Sequence, residues 1–180
     1  MARIPINESV SKKLREIADS MGGGAVQVGF LENATYADGT PVAFVAYEDE
    51  FGHGGKFPSP PRPFFRTMVK AESPTWPDKM ATLAKVTNYD GPQVLKLMGE
   101  DIEGALKQSI IDTNAPELSP TTLALRAKFG NNPQNIRMSD VIEAQQQVAA
   151  GTAELASGTQ AKPLVWTGHM LASTGYRVVK

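Results

Sequence analysis

The sequence predicts a single α+β domain in which a small, mostly antiparallel sheet packs against one long helix. Three observations carry this. Over residues 92–112, Leu95, Met98, Ile102, Leu106, Ser109 and Ile110 recur at helical spacing, while Lys96, Glu100, Glu103 and Lys107 point elsewhere. In the stretch 25–31, Val26, Val28 and Phe30 alternate with Gln27 and Gly29, the period of a strand with one buried face. Near the end, Tyr176-Arg177-Val178-Val179 reads as a final strand that pairs into the same sheet. The chain has 180 residues, 41% of them hydrophobic, which is enough for one core.

The other elements follow in order. Residues 7–21 form an amphipathic helix with Val10, Leu14, Ile17, Ala18 and Met21 on one face, capped by Asn7 or Ser9 and stopped by Gly22-Gly23-Gly24. Thr40 serves as N-cap with Pro41 at the first helical position, and Val42, Val45 and Ala46 continue a short helix ending before Gly52; a strand over 42–45 is the alternative. Residues 52–63 hold so many Gly and Pro that neither a helix interior nor a central strand fits; they form an extended loop or arm, with an edge strand as the alternative within it. Phe64 to Ala71 is helical, broken or restarted at Ser73-Pro74, and Trp76, Met80, Leu83 and Ala84 carry the apolar stripe on. Asn88 to Pro92 is a turn, and Ser119-Pro120 starts a short helix with Leu123 and Arg126, closed by Gly130. Residues 133–160, rich in Gln and Ala and without aromatics, read as an insertion or exposed helix starting near Ser139-Asp140, followed by a flexible loop. Thr167-Gly168 leads a short helix from Met170 to Ser173.

Composition narrows function. Eighteen basic residues face nineteen acidic ones, a net charge of −1, and no polybasic block exists, which argues against affinity driven by phosphate neutralisation. With no cysteine, thiol nucleophiles, disulfides and thiolate metal sites are excluded. No stretch of about 18 apolar residues is present to span a bilayer, and the N-terminus lacks the apolar core of a signal peptide. An aqueous compartment and no membrane partner are expected.

No constellation nominates catalysis, a cofactor or a metal. His53 and His169 are the only histidines, and neither has a ligand at metal spacing. Glu48-Asp49-Glu50 supplies adjacent carboxylates, but adjacent side chains on a helix end diverge, so a solvated acidic turn is the reading. Gly22-Gly23-Gly24 precedes a strand instead of following one and is a helix stop. Arg62, Arg66 and Lys70 beside Phe64 and Phe65 mix basic and aromatic groups as nucleic-acid surfaces do, but the acidic flank makes ion pairs or a protein interface the better reading. Trp166 reads as a core or interface anchor.

Two signatures stand about a hundred residues apart. One is Ala46-Tyr47-Glu48-Asp49-Glu50-Phe51-Gly52 with Pro61-Arg62-Pro63-Phe64-Phe65-Arg66; the other runs from Lys162-Pro163-Leu164-Val165-Trp166-Thr167-Gly168 to Ser173. Between them lies Leu118-Ser119-Pro120-Thr121-Thr122. In this order they resemble the tail-completion and neck family of long-tailed bacteriophages, which includes the minor tail protein Z of phage lambda and the Mu-type virion morphogenesis proteins. The loop before Pro61 carries extra Gly and Pro, and the 133–160 segment is longer than the family's usual link before Lys-Pro-Leu. The resemblance implies a non-catalytic virion protein, made in the host cytoplasm, that completes the tail and joins it to the head. It implies a hexameric ring of copies of the chain, neighbours of the tail terminator, tail tube or head connector kind, and DNA only as the passing genome. Phe57, Pro60, Arg62, Phe64, Arg66 and Trp166 are the expected partner contacts. The alternatives are a DNA-binding packaging accessory using Arg62, Arg66 and Lys70, or a virion-borne hydrolase with Glu50 as its acid.

Overall fold

The computed structural model describes residues 8–30, 33–55 and 58–179. The elements are α1 (Glu8–Met21), β1 (Ala25–Phe30), α2 (Val42–Phe51), α3 (Phe64–Glu72), α4 (Trp76–Val86), α5 (Gly91–Asp112), α6 (Pro120–Phe129), α7 (Met138–Ala150), α8 (His169–Ala172) and β2 (Thr174–Val179). The α+β class is as the sequence predicts.

Helix α5 is the axis of the molecule. Asp90 caps it by accepting the Gln93 N–H at 3.0 Å, and Pro92 fits the first turn, where an N–H has no intrahelical acceptor. Its buried side is Val94, Met98, Ile102, Leu106 and Ile110. Leu95, expected among them, is half-buried. The antiparallel pair β1–β2 lies on this helix with Val28 opposite Tyr176 and Phe30 opposite Thr174. The Tyr176 ring rests on Gly99: a Cβ there would lie 2.3 Å from Tyr176 Cδ2. Helices α3 and α4 bring Phe64, Met68 and Ala84 into the same core, and Phe30 meets Phe64 edge-to-face at 6.2 Å and 79°.

Helix α2 is a helix and not a strand, but its start differs from expectation. Pro41, not Thr40, holds the N-cap position, because Pro41 bridges to Thr35 in extended conformation and Val42 N–H donates to Ala34 at 2.9 Å. On α1, Ile17 and Met21 are half-buried and Ala18 is exposed; the side chains of Val10 and Leu14 lie outside the described residues.

The segment 133–160 holds α7, which lies against α6. It buries Ala144, and Lys128 of α6 reaches Asp140 at 3.0 Å and Glu143 at 2.8 Å. Asp140 accepts the Arg137 N–H at 2.9 Å and so fixes the start of α7. The following loop is tied back where Ala156 N–H donates to Leu123 at 3.1 Å.

A cleft where the signatures meet

The acidic triplet is not a solvated turn. Helix α2 runs through it to Phe51, and Glu50 is 4% exposed. The reason lies in α3. Its N-cap is Pro63, which has no side-chain acceptor, so the first free N–H groups need one from elsewhere. Glu50 provides it: Oε2 accepts the Phe65 N–H at 2.8 Å, and Oε1 accepts the Arg66 N–H at 3.2 Å and Arg66 Nε–H at 2.7 Å. An anion at a helix N-terminus also meets the positive end of the helix dipole. The carboxylate that a hydrolase reading requires is therefore engaged in joining two helices.

The arm pairs with itself, in keeping with the edge-strand alternative. His53 and Ser59 exchange both backbone hydrogen bonds at 3.0 Å. Arg62, expected at a partner surface, is 5% exposed: Nε donates to Pro116 at 2.9 Å, and a terminal nitrogen donates to Ser59 Oγ at 3.1 Å. Phe64, also expected there, is core, because the edge of Phe30 and the first turn of α3 enclose it. Both side chains are buried within the chain, contrary to the surface position expected of them. Arg66 is exposed and ion-paired with Glu50, and Pro60 is exposed. Phe57 lies outside the described residues.

The second signature is pinned by two cations. Lys162 Nζ donates to the Ile111 carbonyl at 2.8 Å, one of the last carbonyls of α5, where a cation is favoured. Arg126, on α6, donates to the carbonyls of Gln160 at 2.9 Å, Lys162 at 2.7 Å and Pro163 at 2.9 Å. Its guanidinium lies over Trp166, 4.9 Å from the ring centre. Trp166 is half-buried and gives its indole N–H to Gly130. The middle motif sets up α6 itself, with Ser119 accepting the Thr122 N–H at 3.1 Å and Pro120 in the first turn.

These elements enclose a cleft of about 670 Å³. It is lined by Tyr36, Ala37, Asp38 and Thr40 with Val45 and Asp49 of α2, by Arg126, Asn131, Pro133 and Gln134, and by Pro163, Leu164 and Trp166 to Met170. Asp49 of the first signature and Trp166 of the second both line it. His169 closes one end, with Nε2 2.9 Å from the Thr35 carbonyl and its ring 4.8 Å from Tyr36. Burial pushes the Asp49 carboxyl up to about 6, against the pull of Arg62 and Arg126. Burial, reinforced by Arg62, brings Arg126 down to about 10. Burial and the nearby acids Asp49 and Asp38 raise Tyr36. Among the described residues, no three His, Cys, Asp or Glu side chains gather as a metal site.

A second surface lies on the opposite side of α2. Val42, Val45, Ala46, Asp49 and Glu50 face inward, while Phe44, Tyr47 and Phe51 follow the i, i+3, i+7 spacing of the other face. These aromatics are 52%, 61% and 49% exposed. Tyr47 and Phe51 are 4.8 Å apart, and the Arg66 guanidinium lies 4.6 Å from the Phe51 ring centre. The sequence reading passed over this stripe. Its signal was a helix apolar on both faces, which is either buried all round or has a second partner.

Comparison with known proteins finds no matching family model, no matching curated protein and no matching solved structure.

Proposed function

We propose that the chain is a structural component of a long-tailed phage virion, acting at the head–tail junction or the head-proximal end of the tail through stoichiometric contact. The observation that supports this reading is the outward stripe Phe44–Tyr47–Phe51 on α2. Three aromatics held on one rigid helix face offer large contact area at small entropic cost, the composition of interface anchors. The stripe lies within and beside the same signature, Ala46 to Gly52, that carries the family resemblance. The inner faces of that signature and of its companions serve to fix the fold. In a ring, the stripe of each copy meets a different surface of the next copy, a head-to-tail contact that closes.

The test is replacement of Phe44 and Tyr47 by Ser in a phage that carries this chain. The expected result is a folded protein missing from particles, with heads and tails left unjoined. Normal joining with wild-type yield overturns the reading.

A further inference from the structure

A second exposed apolar stripe lies on α7. Ala144 is buried and marks the face that meets α6, whereas Met138, Ile142 and Ala149 share the opposite face and are exposed. The first two are 47% and 49% exposed. The two stripes are both turned away from the cleft. On α2, Val45 and Asp49 line it, and Phe44, Tyr47 and Phe51 stand on the other side of the helix. On α6, Arg126 lines it, and Lys128, roughly 200° further round the helix, reaches Asp140 and Glu143 of α7. Helix α7 therefore covers the side of α6 that faces away from the cleft.

Charge separates the stripes. Residues 51–71 carry Lys56, Arg62, Arg66 and Lys70 and no acid. Arg66 and Lys70 are exposed one turn apart on α3, with Arg66 against Phe51. Glu50 is buried, Asp49 lines the cleft and Glu48 is half-buried, so the acids of α2 cancel this field only in part. Residues 138–161 carry Asp140, Glu143 and Glu154 and no cation. The first two share the single ammonium of Lys128.

We infer that the outer face of α2 in one copy of the chain docks on the outer face of α7 in the next copy, with Phe44, Tyr47 and Phe51 packed along Met138, Ile142 and Ala149. The inference rests on the reading of the chain as a ring component and names the surface that receives the stripe. Two α2 faces meeting each other would set Arg66 and Lys70 against their own kind. An α2 face on an α7 face sets them against Glu143 and Glu154, and like charges opposed across an interface are costly. Two different faces on one chain also give the head-to-tail contact from which a ring closes.

The chain has no cysteine, so introduced thiols report on their own contacts. Ala43 and Gln145 are exposed beside the two stripes and leave the anchors intact. Particles carrying Ala43→Cys together with Gln145→Cys are treated with a short bismaleimide. The expected result is a ladder of linked copies of the chain, absent from either single variant. Linked dimers from one single variant, or a product with a different protein in place of the ladder, overturns the inference. No ladder from particles whose joining is lost on Phe44→Ser with Tyr47→Ser overturns the inference and leaves the functional reading standing. A chain that never enters particles overturns both.

Discussion

Glu50 caps a helix that begins fourteen positions later, with its Oε1 2.7 Å from Arg66 Nε and both its oxygens on the first N–H groups of α3. The two partners are unequal. Glu50 is buried, whereas the Arg66 side chain is 58% exposed and solvated. Replacing Glu50 by Ala should cost roughly 2–3 kcal/mol, from a lost cap and uncovered donors. Replacing Arg66 by Ala should cost less than about 1 kcal/mol, as for a half-exposed ion pair. Urea unfolding of both variants checks the ordering; equal costs would contradict the capping role.

Two glycines of α5 should respond oppositely to Ala. At Gly99 the new methyl meets the Tyr176 ring, so Gly99→Ala should destabilise by about 1–3 kcal/mol. At Gly104 nothing lies within 4 Å, and Gly104→Ala should stabilise by about 0.5–1 kcal/mol through helix propensity. Thermal melts of the pair read both signs.

Ile102 and Leu106 of α5 are both buried in the hydrophobic core. Truncation of either to Ala should cost about 2–5 kcal/mol. An unchanged denaturation midpoint would reject this packing.

Asp49 makes stability depend on pH in an uncommon direction. Its folded value is about 6 against an ordinary 3.8, so between those values the folded chain holds the proton more tightly than the unfolded one. Stability from this group is therefore lowest above pH 6, grows as pH falls through 6, and levels off below 3.8. Asp49→Asn should raise Tm at pH 8 and flatten the difference between pH 8 and pH 5. A Tm that Asp49→Asn lowers at pH 8 would contradict this account.

The core was legible because its periodicity is local. Met98, Ile102 and Leu106 announce their face by spacing alone, as do Val26, Val28 and Phe30. Leu95 departs from the pattern because the buried side of α5 runs through Val94, Met98, Ile102 and Leu106, and Leu95 stands one position round the helix from Val94, against Gly24. Glu50 was read as solvated because its partner is the missing cap of another helix, and nothing between positions 50 and 63 encodes that approach. Arg62 and Arg126 were similarly opaque: apart from the Ser59 hydroxyl on Arg62, their acceptors are main-chain carbonyls, which every residue has. The α2 stripe was present as spacing but was masked by the equally apolar inner face.

The outer face of α2 is proposed to join this chain to its neighbours in a virion. The most direct measurement places a photo-crosslinking phenylalanine analogue at position 47 and identifies what it captures in assembled particles. The account predicts a crosslink to a second copy of the chain or to an adjoining head or tail protein, abolished by Phe44→Ser. Particles that contain the protein but yield no crosslink from position 47, while exposed positions on α7 such as Ile142 do, would contradict it.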